Sequence, residues 1–173
     1  MNAMSSDRLE RVHMEAAGFG GGCHWCTEGV FQILRGVAGV DQGFLQSTPP
    51  DDAWAEGVVV AFDPAVVPLD VLIEVHLRTH SANSGYSPNG RYRSAVYVEG
   101  NDQQQRAEAA IARLGPDIAT AARTKVLPLV GFRPSEACYR NYYRTDPTRP
   151  FCRRYIDPKL AAIRRDFAAY ALQ

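Results

Sequence analysis

The stretch GFGGGCHWCTEGVFQ, Gly18 to Gln32, sets three glycines directly before a thiol and a second thiol three residues later. Ahead of it Val12, Met14 and Ala16 alternate with polar neighbours, the pattern of a strand that ends at the glycine run. Behind it Val30, Phe31, Leu34 and Val37 recur at helical spacing, so a helix begins between Cys23 and Thr27 and stops by Gly36 or Gly39. That reading puts Cys23 in the first turn of a helix. Unpaired amide donors and the positive end of the helix dipole favour an anion there, which predicts a stabilised thiolate with a lowered pKa. The glycines let a substrate approach the backbone closely, and Trp25 offers an aromatic wall. A merely buried Cys23 would explain neither the three glycines nor the polar His24 beside it.

Outward from this point the chain reads as alternating strands and helices. Val40 to Leu45 is a short strand, and Ser47 to Asp52 is a polar, proline-containing loop. Gly57 to Phe62 is a continuous apolar run closed by Asp63-Pro64, hence a buried strand and a turn. Pro68 stands where a first helical residue would, with Leu69, Leu72, Ile73 and His76 on one face of the helix that follows. Ser81 to Arg91 is a loop, Ser94 to Val98 a strand, and Ala107 to Leu114 a helix ended by Gly115-Pro116. Lys125 to Val130 is a further strand, and Asp157-Pro158 opens a last helix. The order predicts an α+β fold: a ferredoxin-like, split βαβ two-layer sandwich of a mixed sheet and helices, with an irregular C-terminal tail and last helix. There is no internal repeat, so residues 1–173 are expected to form a single domain, with residues 1–9 a flexible tail.

Composition narrows the class of function. Lysine plus arginine equals aspartate plus glutamate, at 19 each, so no net field draws the chain to nucleic acid or an anionic membrane. No apolar run approaches membrane-spanning length, and a cytoplasmic monomer is the expectation. In that compartment four irregularly spaced cysteines point to catalysis or metal before structural disulfides. Cys26 is open between two roles, a partner that attacks a sulfur-bound intermediate on Cys23 and a packed, inert thiol. Zinc would need two more ligands, and Cys138 and Cys152 supply no second close pair, so no metal or other cofactor is expected. His76 and His80 are spaced i, i+4, but His76 falls on an apolar stripe and reads as a core residue.

Four segments in order resemble a known family. GGCHWCTEGVFQILRGVAGV (Gly21 to Val40) is similar to the active-site segment of the A-class peptide methionine sulfoxide reductases. WAEGVVVAFDP (Trp54 to Pro64) resembles the family's His-Ala-Glu strand, and RYRSAVY (Arg91 to Tyr97) its Gln-Tyr-Arg-Ser segment. NYYRTDPTRPFCRRYIDPKL (Asn141 to Leu160) is similar to the tail that carries a recycling cysteine in many members. The resemblance implies thiol-dependent reduction of methionine S-sulfoxide, free or in proteins, with Cys23 as nucleophile and a cysteine sulfenic acid as product. It implies Glu56 as proton donor, ahead of Glu28 and Glu136, and Tyr92 as a hydrogen-bond donor to the oxygen. Glu28 then reads as a first-turn charge complementing the helix dipole. Cys152 by match, or Cys26 by proximity, resolves the sulfenic acid, and a thioredoxin-like protein reduces the disulfide.

The departures fall around the substrate. His24 stands where the family has phenylalanine, and after Gly43-Phe44 no substrate-facing tyrosine follows. The aspartate expected before Tyr92 is missing; Ser87, Asn89 and Tyr86 stand near its place. The substrate-binding set is therefore Trp25, His24, Phe44 and Tyr86. Two other readings remain: a disulfide oxidoreductase using Cys23 and Cys26, and a binding module that keeps the fold without turnover.

Overall fold

The computed structural model describes residues 13–80 and 90–173. Strands β1 (Glu15–Gly20), β2 (Val37–Gln46), β3 (Ala55–Phe62), β4 (Ala95–Val98), β5 (Lys125–Pro128) and β6 (Gly131–Pro134) form one sheet in the order β5-β4-β1-β3-β2-β6. Only β4 and β5 are parallel; the other neighbours run antiparallel, so the sheet is mixed and the class is α+β. The helices are α1 (His24–Gln32), α2 (Leu69–Thr79), α3 (Gly100–Leu114), a short α4 (Tyr142–Thr145) and α5 (Asp157–Asp166).

Strand alternation decides which side chains meet the helices. Ala17 and Phe19 of β1, Val58, Val60 and Phe62 of β3, and Val96 and Val98 of β4 share one buried core with Phe31, Leu72, Ile73, Ala107, Leu160 and Ile163 of the helices. Leu45, Ala95 and Tyr97 form a second, smaller cluster with Val59, Leu127 and Leu129. By the same alternation Glu56 lies on the helix face of β3, two residues before Val58. Phe44 of β2 is its cross-strand partner. A carboxylate is thus carried into the layer between sheet and α1.

Several element bounds differ from the sequence reading. Strand β1 ends at Gly20, the first glycine of the run, as expected; it pairs with β3 along its length and with β4 over Gly18, Phe19 and Gly20. A β-carbon on Gly18 would lie 2.5 Å from Leu45 Cδ2 and 2.8 Å from Tyr97 Cβ, so the glycine makes room for cross-strand packing. Pro68 caps α2 from outside and does not open it, while α1 begins at His24 and ends at Gln32, before the glycines, as expected. Strand β6 was not expected. It is an edge strand with a terminal proline and little apolar alternation, and its pairing to β2 is what orders it. The loop expected from Ser81 to Arg91 lies, up to residue 89, outside the described residues, and so does Tyr86.

Candidate active site

The connection from β1 to α1 is built by two glycines whose backbone no other residue adopts readily. Gly21 has φ +145° and Gly22 φ +83°, and a β-carbon on Gly21 would fall 2.5 Å from the His80 ring. They turn the chain so that Cys23 becomes the N-cap of α1, extended at φ −70° and ψ 128°. Its carbonyl accepts from the Thr27 hydroxyl at 3.3 Å. The thiol therefore sits one residue before the first turn, at the end where amides are unpaired.

The electrostatics of that thiol differ from the sequence expectation. The Trp25 amide does favour the thiolate of Cys23, as a helix start should. A hydrogen bond between the two thiols outweighs it: Cys23 is pushed up, first by that bond and next by burial, with the Glu56 charge adding to the effect. Cys26 is drawn down, because it receives the hydrogen bond from Cys23, and the nearby Lys159 ammonium lowers it further against the cost of burial. The pair thus loses its first proton at Cys26, while Cys23 holds a hydrogen. Lys159 reaches in from α5, where its ammonium donates to the Thr79 carbonyl and burial lowers its own pKa. A cavity of about 250 Å³ opens beside the two sulfurs, lined by both thiols with His80, Phe151, Tyr155 and Lys159.

Glu56 closes the other side of the site. It is 4% exposed, with Oε1 at 3.3 Å from His24 Nε2 and 3.5 Å from the His24 amide. Its Oε2 accepts from Arg91 Nε at 2.6 Å. His24 is 6% exposed and hydrogen-bonded through Nδ1 to the Gly43 carbonyl at 2.9 Å, with its ring edge-on to Phe44. His24 is thus held at the site by its own partners, at the position where the family has phenylalanine. Phe44 carries the Arg133 guanidinium on its face, 5.1 Å from the ring centroid. Tyr92 is exposed beside Arg91, whose guanidinium lies 5.7 Å from its ring.

Trp25 meets the C-terminal segment. Its ring stacks on Tyr142 with centroids 4.1 Å apart and planes 3° from parallel, and Phe151 stands edge-on to it. One face of the wall expected for a substrate methyl is therefore covered. Glu28 is not a first-turn charge: it is the fifth residue of α1, buried, and accepts from Gln42 Nε2 and from the amides of Asn141 and Tyr142. Cys152 is fully buried in a π-helical turn, Cys152–Ile156, with its sulfur toward the Asp146 carbonyl, so it is not part of a loose tail. His76 is a core residue hydrogen-bonded to the Gly20 carbonyl, and burial lowers its pKa. Among the described residues no three His, Cys, Asp or Glu side chains cluster as a metal site requires.

Two partners escaped the sequence reading. Arg91 was visible as a departure, since it stands where the resembling segment has glutamine. Lys159 carried no signal, because only the docking of α5 beside α1 brings it to the thiols.

An ionisable thiol pair at a helix start, with a buried carboxylate across from it on an α+β sheet, is the arrangement a cysteine-dependent redox site calls for. The family model of peptide methionine sulfoxide reductase matches residues 15–171, and the chain belongs to that family. Peptide methionine sulfoxide reductase MsrA of Thermus thermophilus is 34% identical over 167 residues, covering 88% of this chain and 95% of that protein. The enzyme of the same name from Deinococcus radiodurans is also 34% identical, covering 87% and 81%. Among solved structures, methionine sulfoxide reductase A of Corynebacterium diphtheriae aligns with a TM-score of 0.64 at 27% identity, covering 78% of this chain and 76% of that one. Mxr1 of Saccharomyces cerevisiae in its reduced form shares the fold with a TM-score of 0.70 at 18% identity, covering 83% and 91%.

Proposed function

We propose that this chain reduces methionine S-sulfoxide, free or in proteins, to methionine through a sulfenic acid on Cys23. The observation that carries the reading is Cys23 at the N-cap of α1, lining one cavity with Cys26, beside a buried Glu56 that is held against the first residue of the same helix. Cys23 attacks the sulfoxide sulfur and passes its proton to the Cys26 thiolate, its hydrogen-bond partner. A proton from the Glu56 side goes to the oxygen, with Tyr92 as a further donor. Sulfur of the substrate is reduced by two electrons, Cys23 is oxidised by two, and the products are the thioether and Cys23 sulfenic acid. Cys26, now a thiol, attacks that sulfur; a disulfide forms and water leaves. Two thiols of an external reductant, a thioredoxin-like protein in this reading, restore the pair.

Between the two resolving cysteines the geometry favours Cys26, which lies three residues on in α1 and lines the same cavity as Cys23, whereas Cys152 must first leave its buried turn. The run β1-α1-β2-β3-α2-β4 with the order β4-β1-β3-β2 supports describing the central sheet as a split βαβ unit. The balanced charge supports a partner set without nucleic acid, and among the described residues no helix is long and apolar enough to cross a membrane. We retain a single-domain, cytoplasmic monomer as the proposal.

The paired thiols also favour a second reading, a dithiol–disulfide oxidoreductase. The test is single-turnover reduction of the two methyl sulfoxide epimers, with one methionine expected per enzyme from the S epimer alone. Cys23→Ser is expected to abolish it. Disulfide exchange without any methionine formed would establish the second reading, and neither activity would leave a binding module on this fold.

A further inference from the structure

The His24 ring is fixed by partners that constrain its hydrogens. Nδ1 faces the Gly43 carbonyl at 2.9 Å, and a carbonyl only accepts, so Nδ1 carries a hydrogen. Nε2 faces Glu56 Oε1 at 3.3 Å. A neutral imidazole and an ionised carboxylate in this pose would set two lone pairs against each other in a buried place. One proton between them removes that conflict. Arg91 donates to the other carboxylate oxygen at 2.6 Å, which favours the ionised form of Glu56 and leaves the proton on the imidazole.

The geometry points to His24 as the proton store for the reaction: a positioning residue that holds a proton on Nε2 and supplies it through Glu56 to the departing sulfoxide oxygen. In the step, the imidazolium gives its proton to Glu56 Oε1, and the carboxyl gives one to the oxygen as the sulfur–oxygen bond breaks. His24 ends neutral, Glu56 ends ionised, and water resupplies the pair between turnovers. A bare carboxylate clamped by Arg91 would be a poor acid near neutral pH; the paired imidazolium makes the proton available there. The charged groups facing the pair are Arg91, in the turn before β4, and Arg133 of β6 across the Phe44 ring. On the helix side stand the thiols of Cys23 and Cys26. The inference rests on the sulfoxide-reductase reading for its chemistry, but the paired titration stands independently of it.

The test has two arms. The first is the single-turnover rate of sulfenic acid formation between pH 5 and 9, expressed as wild type over His24→Gln. Thiol ionisation is followed in each protein by the pH dependence of iodoacetamide alkylation and divided out of this ratio. Glutamine keeps hydrogen-bonding capacity but stores no proton, so the ratio should reach roughly 10² near pH 7.5. It should shrink toward pH 5, where solvent protons are plentiful and a stored one matters less. His24→Phe serves as a second variant should glutamine disturb packing. The second arm follows His24 by NMR titration, with its signals assigned by their loss in His24→Gln. Glu56→Gln should lower the midpoint of His24, since the paired charge is gone. A ratio that does not vary with pH, or a His24 midpoint unmoved by Glu56→Gln, overturns the proposal. If wild type forms no methionine, the substrate reading fails, and the NMR arm alone decides whether the pair shares a proton.

Discussion

Cys26 illustrates how a neighbouring thiol and a nearby cation together set the order in which two thiols ionise. The hydrogen bond from Cys23 and the ammonium of Lys159 both lower its pKa, while the same bond and burial raise Cys23. Alkylation follows the thiolate, so Cys26 should react with iodoacetamide at lower pH than Cys23, read peptide by peptide in the mass spectrometer. Lys159→Met should move the onset for Cys26 to higher pH, because a stabilising positive charge is removed. A Cys23 peptide alkylated first would reverse the assignment. Glu56 gives a second residue-scale expectation. Glu56→Ala should slow sulfenic acid formation by roughly 10²–10⁴-fold, the usual worth of a positioned acid. Glu56→Gln, which still hydrogen-bonds the oxygen, should lose less, and equal rates in all three proteins would move the acid elsewhere.

The tie between α1 and the C-terminal segment belongs to the element scale. Glu28 accepts from Gln42 on β2 and from two backbone amides, Asn141 and Tyr142, at distances of 3.0, 2.9 and 3.0 Å. These bonds hold the segment that stacks Tyr142 on Trp25. Glu28→Ala would leave those donors unpaired in a partly buried place, so it should destabilise the fold by about 1–3 kcal/mol in urea titration. It should also loosen Trp25, read as a change in its fluorescence. A stability unchanged from wild type would mean that water replaces the carboxylate without cost. The glycine turn before α1 is the complementary element. Gly21 combines a positive φ with a ring packed where its side chain would grow, which explains why the thiol is delivered at the helix end and not within it.

For the molecule as a whole, the question is which thiol can reach Cys23 without opening the fold. Cys152 belongs to the main core with Ile156 and Leu160, so a bond from it to Cys23 requires that the π-helical turn undock. Cys26 needs only rotation within the first turn of α1. Cys152→Ser should therefore retain thiol-dependent recycling while losing stability, since a hydroxyl replaces a buried sulfur. Cys26→Ser should accumulate the sulfenic acid after one turnover, detected by trapping with dimedone. If instead Cys152→Ser stops recycling and Cys26→Ser does not, the C-terminal segment opens during the cycle.

Much of this was legible before any coordinates. Local periodicity marked α1, α2, α3 and the apolar strand β3, because burial of one face imposes a repeat that each segment carries by itself. The thiol behind three glycines and the four family-like segments singled out Cys23, Glu56 and Tyr92, since residue type and order are properties of the chain. What neighbours do to a charge is not. That the Cys23 thiol is pushed up follows from its bond to Cys26 and from burial, neither of which has a sequence signature. That Glu56 lies between His24 and Arg91 depends on β3 being flanked by α1 and the turn before β4, elements 32 and 35 residues away along the chain. Strand β6 and the seat of Cys152 are likewise decided by partners, one by pairing to β2 and the other by packing against α1. The sequence alone determined which groups are available and on which kind of element they sit. Only the tertiary structure decided which of them share a proton, because electrostatic coupling in a protein falls off over a few ångströms of space and is blind to distance along the chain.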